Sequence, residues 1–214
     1  MSSHPLAEMT VRDLTARLAT SDPVPGGGSA SALAGALGAA LVEMVCELTV
    51  GRPEHQDVDP VARQIGDAAA DLRRELLEAA EADATAYEAV VMARRLPRTT
   101  DEERANRKAA IGVATVAATE VPLRVAELAT EVLGLVVGIA PIGNRHAVSD
   151  TGVAALLAAT AARGAAFNVR INLPSLPAEH PLRTEAPTRL TDLEATVAER
   201  EQQAMAIVRE RMPA

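Results

Sequence analysis

Residues Pro25-Gly26-Gly27-Gly28-Ser29 run directly into Ala30-Ser31-Ala32-Leu33-Ala34-Gly35-Ala36-Leu37-Gly38-Ala39-Ala40-Leu41, and no other stretch constrains the fold as strongly. Three successive glycines leave the backbone uncovered by Cβ atoms, so a ligand or another backbone can come close. The helix expected from about Ser29 to Val50 has small residues four apart at Gly27, Ser31, Gly35 and Ala39, a flat stripe on which a second helix packs at short distance. Tyr87 and Phe167 are the only aromatic residues among 214, although 48% of the chain is hydrophobic. A core of Ala, Leu and Val favours closely packed helices over sheets.

Helix signals account for most of the remaining chain. Thr10 to Asp13 reads as a helix start, with Leu14 and Leu18 as an apolar i, i+4 pair. Asp59-Pro60 looks like an N-cap followed by proline at the first helical position, and apolar residues at helical spacing continue from Ile65 to Leu96. Thr100 and Glu103 have capping-box spacing and open a helix through Glu120, which Pro122 is expected to break or kink before it resumes towards Val137. Gly138 to Asn144 is a breaker cluster, after which Ser149 or Asp150 can cap an Ala-rich helix reaching about Val169. Thr191 to Glu194 again has capping-box spacing and is expected to start a terminal helix ending near Met212. The expected fold is all-α, a multihelical bundle of long helices around the Gly/Ala-rich central one. One domain is expected over 1–214, with a core at 8–173, a Pro-rich surface connection at 174–187 and a C-terminal helix at 191–212.

Net charge and motif content exclude several functional classes. A formal charge of −8 argues against a nucleic-acid binder, which needs positive surface to neutralise phosphates. The charge-free stretches Ser29 to Val42 and Val132 to Asn144 fall short of the roughly 20 residues that span a bilayer, and no basic-then-apolar leader opens the sequence. A cytoplasmic protein with no membrane contact is the expectation. Cys46, the lone cysteine, sits in an apolar run and reads as a small buried hydrophobe. His4, His55, His146 and His180 show no ligand spacing, so no metal site is expected. Lys108 is the only lysine, so the glycine run lacks the Gly-Lys-Ser/Thr ending of a phosphate-binding loop, and no preceding strand supports a dinucleotide fingerprint.

Several polar residues stand out against this apolar background. The helix N-terminus at Gly27, Gly28 and Ser29 offers unpaired N–H groups to a polar ligand, or else the glycines serve only a tight turn and a close helix crossing. Asp83 and Tyr87 lie one turn apart on one helix face, where carboxylate and phenol can project together into a cavity; core filling is the alternative for Tyr87. Glu43 and Glu47 are similarly spaced in an apolar segment, and either burial or pairing with arginine is open to them. Arg94, Arg95, Arg98, Arg104, Arg107 and Lys108 form a local positive patch suited to a small polyanion, or a solvated helix end. Asn144 to Asp150 gathers amide, guanidinium, imidazole, hydroxyl and carboxylate at a loop-to-helix junction, while Asn168 and Asn172 are compatible with C-caps.

Taken together, Pro25 to Ala32 with Gly35-Ala36-Leu37, Met44 to Arg52, Asp83…Tyr87, Leu96-Pro97, Asn144…Asp150 and Asn168 to Leu173 resemble, in order, the cyclodeaminase/cyclohydrolase family. The resemblance covers roughly 8–173. It implies a multihelical fold, a homodimer or larger assembly, a tetrahydrofolate derivative as substrate, and no bound metal or nucleotide. The implied activity is 5-formimidoyltetrahydrofolate cyclodeamination to 5,10-methenyltetrahydrofolate and ammonia, with methenyltetrahydrofolate cyclohydrolysis as the alternative. A non-catalytic folate-binding or dimerisation protein is the third reading. On this resemblance Asp83 and Asp150 are the acid/base candidates, and Tyr87 and Asn144 orient the folate. Gly26, Gly27, Gly28 and Ser29 form the cleft wall, and Arg107 and Lys108 attract the glutamate tail.

Overall fold

The computed structural model describes residues 5–213, leaving His4 outside them, and the described residues form helices with no strand. Six α-helices follow in order: α1 Val11–Leu18, α2 Gly27–Thr49, α3 Asp59–Arg94, α4 Asp101–Ile139, α5 Val148–Asn172 and α6 Leu182–Arg211. The Gly/Ala-rich α2 packs against α3, α4 and α5, while α6 lies outside on α4 and α5. This is the expected all-α bundle with a small-residue helix at its centre.

The small residues of α2 set its distance from its neighbours. A Cβ on Gly38 would stand 3.2 Å from the Ala154 carbonyl and 3.3 Å from the Ala158 nitrogen, so α5 approaches backbone to backbone there. Gly35 sits between Leu76 of α3 and Ala161 of α5. Alanines then fill the α2–α5 contact, with Ala32, Ala39, Ala154, Ala155, Ala158 and Ala161 fully buried. Larger core residues, including Leu76, Leu128, Leu133 and Ile139, come from α3 and α4. By length and composition alone, α2 and the Arg145–Ser175 segment are apolar enough to cross a membrane, and 56% of the most apolar stretch of each is buried inside the bundle.

The helix ends follow local chemistry. Thr10 caps α1 by accepting the Asp13 N–H, and Thr100 and Glu103 make the full reciprocal capping box at α4. Gly51 takes φ 74°, the left-handed turn that ends the α2 segment, and its N–H donates to the Asp59 carboxylate at the start of α3. Two expectations require correction here. Neither Ser149 nor Asp150 caps α5, because a short 3-10 turn at Arg145–Ala147 precedes it and both residues fall inside the first turn. Pro122 does not end a helix either, since α4 runs unbroken from Asp101 to Ile139.

The C-terminal helix also starts earlier than expected, at Leu182 rather than Thr191, with Pro187 inside it and the Thr191 to Glu194 spacing well past its first turn. Leu182, Ala186 and Leu190 form a buried i, i+4, i+8 stripe against Leu123, Ala166 and Val169, while Pro187 faces solvent. An interior proline costs about 3 kcal/mol. Burying two leucines stabilises by about 3–6 kcal/mol, enough to hold the helix together through the proline.

Candidate active site

A cleft of about 320 Å³ at the N-terminal end of α2 is lined by α2, α3 and α5, with Ala118 of α4. The glycine run forms one wall, Asp83, Tyr87 and Arg94 of α3 a second, and Asn168 and Asn172 of α5 a third. Gly26 occupies the N-cap position and supplies no side-chain cap. Asp83 takes over that role from another helix, because its carboxylate accepts both the backbone N–H and the hydroxyl of Ser29. The approach is so close that a Cβ on Gly28 would stand 2.5 Å from Asp83 Cγ. Gly28 is thus required by contact with the carboxylate, whereas a Cβ on Gly27 would meet Asn168 at an ordinary 3.6 Å.

Burial pushes the Asp83 carboxyl above the usual aspartate range, and the two Ser29 hydrogen bonds draw it part of the way back. No ion pair contributes to this balance. A half-buried carboxyl whose proton affinity rises through desolvation is better suited to general acid/base work than an exposed one. Tyr87, half-buried one turn further along α3, shares the cleft, and exposed Arg94 stands at its rim.

Asn172 owes its position to Pro122. Proline has no N–H to donate to the carbonyl four residues earlier, so the Ala118 carbonyl lacks its helical partner. The Asn172 side-chain amide donates to that carbonyl at 2.6 Å and anchors the end of α5 against α4 beside the cleft. Asn168 is held by its own helix, donating to the Gly164 carbonyl at 2.9 Å. Each amide keeps its side-chain oxygen for a further contact.

A family model described as Formiminotransferase-cyclodeaminase matches residues 10–186. The chain belongs to this family. The methenyltetrahydrofolate cyclohydrolase of Methylorubrum extorquens is 42% identical over 190 residues, spanning 89% of each chain. The formimidoyltransferase-cyclodeaminase of Mus musculus is 35% identical over 168 residues, which make up 78% of this chain but 31% of that protein. A crystal structure of formiminotetrahydrofolate cyclodeaminase from Thermotoga maritima superposes with a TM-score of 0.84 at 25% identity, covering 96% of this chain and 98% of that one.

In this member of the formiminotransferase-cyclodeaminase family, the sequence candidates divide into four groups. Gly26, Gly27, Gly28, Asp83 and Tyr87 meet in the cleft. Ser29 touches the cleft only through Asp83, being fully buried itself. Arg107 and Lys108 line a second cleft of about 710 Å³ with Pro174 to Ala178 and Arg183, and Arg107 Nε donates to the carbonyl of Arg94, a residue of the first cleft, at 3.0 Å. Asn144 and Asp150 lie at the opposite end of α2 within one chain. The Asn144 side chain donates to the Leu48 carbonyl and accepts the His146 N–H, and its backbone N–H donates to the Thr49 hydroxyl. A helix the length of α2 separates that cluster from Gly28 by about 30 Å.

Glu43 pairs with Arg73 at 2.9 Å and Glu47 is exposed, so neither is a buried carboxylate awaiting a partner. Burial, reinforced by these two carboxylates, pushes the Cys46 thiol up to about 12, which keeps it an inert core residue. Among the described residues no group of three or more His, Cys, Asp and Glu side chains is placed to hold a metal ion. Sequence reading did not assign Asn168 and Asn172 to the site, and it placed Arg94 only in the positive patch around Pro97. For Asn172 the signal was present in Pro122, whose missing N–H requires another donor at Ala118.

Proposed function

We propose that this chain is a folate-dependent one-carbon enzyme acting at the carbon that bridges N5 and N10 of tetrahydrofolate, with Asp83 as its acid/base group. The observation that carries the reading is the Asp83 carboxyl, half-buried and raised in proton affinity, on the wall of an open cleft. Of the two reactions at that carbon, hydrolysis of 5,10-methenyltetrahydrofolate takes precedence over cyclodeamination, because the relative named for it is 42% identical over 89% of both chains. Water adds to the methenyl carbon and gives its proton to Asp83. The C–N5 bond then breaks as the new hydroxyl gives up its proton and becomes the formyl C=O, N5 receives a proton, and 10-formyltetrahydrofolate leaves with one net proton released.

Cyclodeamination is retained as the second reading, favoured by the likeness to the Thermotoga maritima structure over nearly both whole chains. In that direction N10 attacks the formimidoyl carbon, and protonated Asp83 supplies the proton with which ammonia departs. In either case Asn168 and Asn172 offer amide oxygens to the pterin, and Arg94 with the adjoining Arg107 and Lys108 attracts the glutamate carboxylates.

The proposal extends to a cytoplasmic homodimer. Leu37, Met44 and Leu48 form an exposed stripe on α2, and Val153, Leu156 and Ile171 form another on α5, and uncharged stripes of this size on neighbouring helices favour burial against a second copy. The deciding experiment incubates purified protein with each folate and follows methenyl absorbance. Loss from 5,10-methenyltetrahydrofolate supports the hydrolase, appearance from 5-formimidoyltetrahydrofolate supports the cyclodeaminase, and no change in either direction overturns the enzymatic reading.

A further inference from the structure

Ser29 is 0% exposed, so it reaches no ligand directly. Its hydroxyl lies 3.0 Å from the Ala80 carbonyl oxygen and 2.9 Å from Oδ2 of Asp83. A hydroxyl carries one hydrogen, and a carbonyl has none to give. With Asp83 ionised, one hydrogen faces two acceptors. With the proton on Oδ2, Asp83 donates to Ser29, Ser29 donates to Ala80, and all three oxygens are joined in one chain. Ala80 lies inside α3, where its carbonyl also accepts a helical N–H, so losing the hydroxyl strands no buried group.

We infer that Ser29 is a positioning residue whose hydroxyl turns with the charge on Asp83, donating to the carboxylate when it is ionised and to the Ala80 carbonyl when it is protonated. Oδ2 is thereby paired with Ser29 in both states, while Oδ1 is the oxygen nearest Gly28 on the cleft wall. The carboxyl gains or loses its proton without leaving a buried polar atom unpaired in either state. This deepens the reading of Asp83 as the acid/base group and rests on it.

Few other groups bear on that proton. Tyr87 and Arg94 of α3 are the titratable and charged side chains that share the cleft with Asp83. The first four turns of α2 carry no charge, α5 presents the amides of Asn168 and Asn172, and α4 presents Ala118. Ser29 is therefore the polar side chain best placed to set the balance.

The test compares the full-length protein with Ser29→Ala, which deletes one oxygen, and Ser29→Thr, which restores a hydroxyl. The Asp83 carbonyl stretch is isolated as an infrared difference against Asp83→Asn and titrated without substrate, alongside a pH profile of kcat/KM. A charged acceptor loses more than a neutral one when a donor is removed, so the Ser29→Ala midpoint moves upward by about one pH unit. Ser29→Thr leaves it near the parent value. If Ser29→Ala loses its helical circular dichroism, Ser29→Cys, a weaker donor, takes its place with a shift in the same direction. An unmoved or lowered infrared midpoint overturns the inference whatever the activity. A moved midpoint that the pH profile does not follow leaves the relay intact and overturns Asp83 as the acid/base group.

Discussion

The two ends of α2 are built from similar residue types and do different things. At its C-terminal end Asn144 spends its polar atoms on Leu48, Thr49 and His146, joining the α2 end to the turn before α5. At its N-terminal end the capping group is a carboxylate from another helix, held against a glycine and open to a cleft. Polar groups that satisfy backbone make a joint; polar groups held close to backbone with capacity left over make a site. The difference is one of accounting for hydrogen bonds and burial, and each end predicts a different response to mutation.

The largest effect is expected at Asp83. Asp83→Asn keeps an oxygen to accept the Ser29 N–H but removes the titrating group, so kcat falls by about 10²–10⁴-fold in the methenyl assay. Stability moves the other way. Because burial raises the folded-state pKa above the unfolded one, the contribution of Asp83 to stability is complete below the ordinary aspartate value and is lost as pH rises through the raised value. At neutral pH Asp83→Asn therefore melts higher than the parent, and the gap closes as pH is lowered through that window. A neutral-pH melting temperature below the parent's would show that the charge itself holds α2 in place.

Gly28→Ala comes next. Its new Cβ displaces the carboxyl, and a misplacement of this kind costs about 10²-fold in kcat. Gly27→Ala is the control, since its Cβ meets Asn168 at ordinary contact distance and turnover stays close to the parent's. Equal losses in the two variants would assign the glycines to loop conformation rather than to Asp83.

These residues were legible because their relation is local or steric. Asp83 and Tyr87 are one turn apart, and a glycine ahead of a small-residue helix announces close approach. The Thr100–Glu103 box and the α2 stripe were readable for the same reason, since each depends on residues a few positions apart. Asn144 and Asp150 lie away from the cleft within one chain because nearness in sequence to other polar residues says nothing about which end of a long helix they occupy. The early start of α6 was hidden because exposed prolines look alike in a linker and in a helix, and only the stripe at Leu182, Ala186 and Leu190 separates the two. Asn172 was hidden for a subtler reason: the carbonyl it serves is orphaned by a proline on a different helix.

At the joint the effect is on stability alone. Asn144→Ala removes the partner of the Leu48 carbonyl and the His146 N–H, which water then takes over, and costs about 0.5–1.5 kcal/mol in a denaturant melt. Its kcat/KM stays at the parent value, because the lesion lies a full helix length from Asp83. A variant that folds as well as the parent yet turns over slowly would break the distinction between joint and site.

The smallest effect is expected from Asp150→Asn, and it is the most discriminating. Asp150 lies in the first turn of α5, where its charge complements the helix N-terminus, and within one chain it stands far from the cleft. Turnover should be unchanged. Yet if two copies pair through the exposed stripes of α2 and α5 about a two-fold axis across those helices, the Asn144 end of one copy lies beside the Asp83 end of the other. A loss of activity in Asp150→Asn, restored by mixing its subunits with Asp83→Asn subunits, is the signature of that arrangement. The joint of one chain would then complete the site of its partner, and the two ends of α2 would differ in duty only within a single chain.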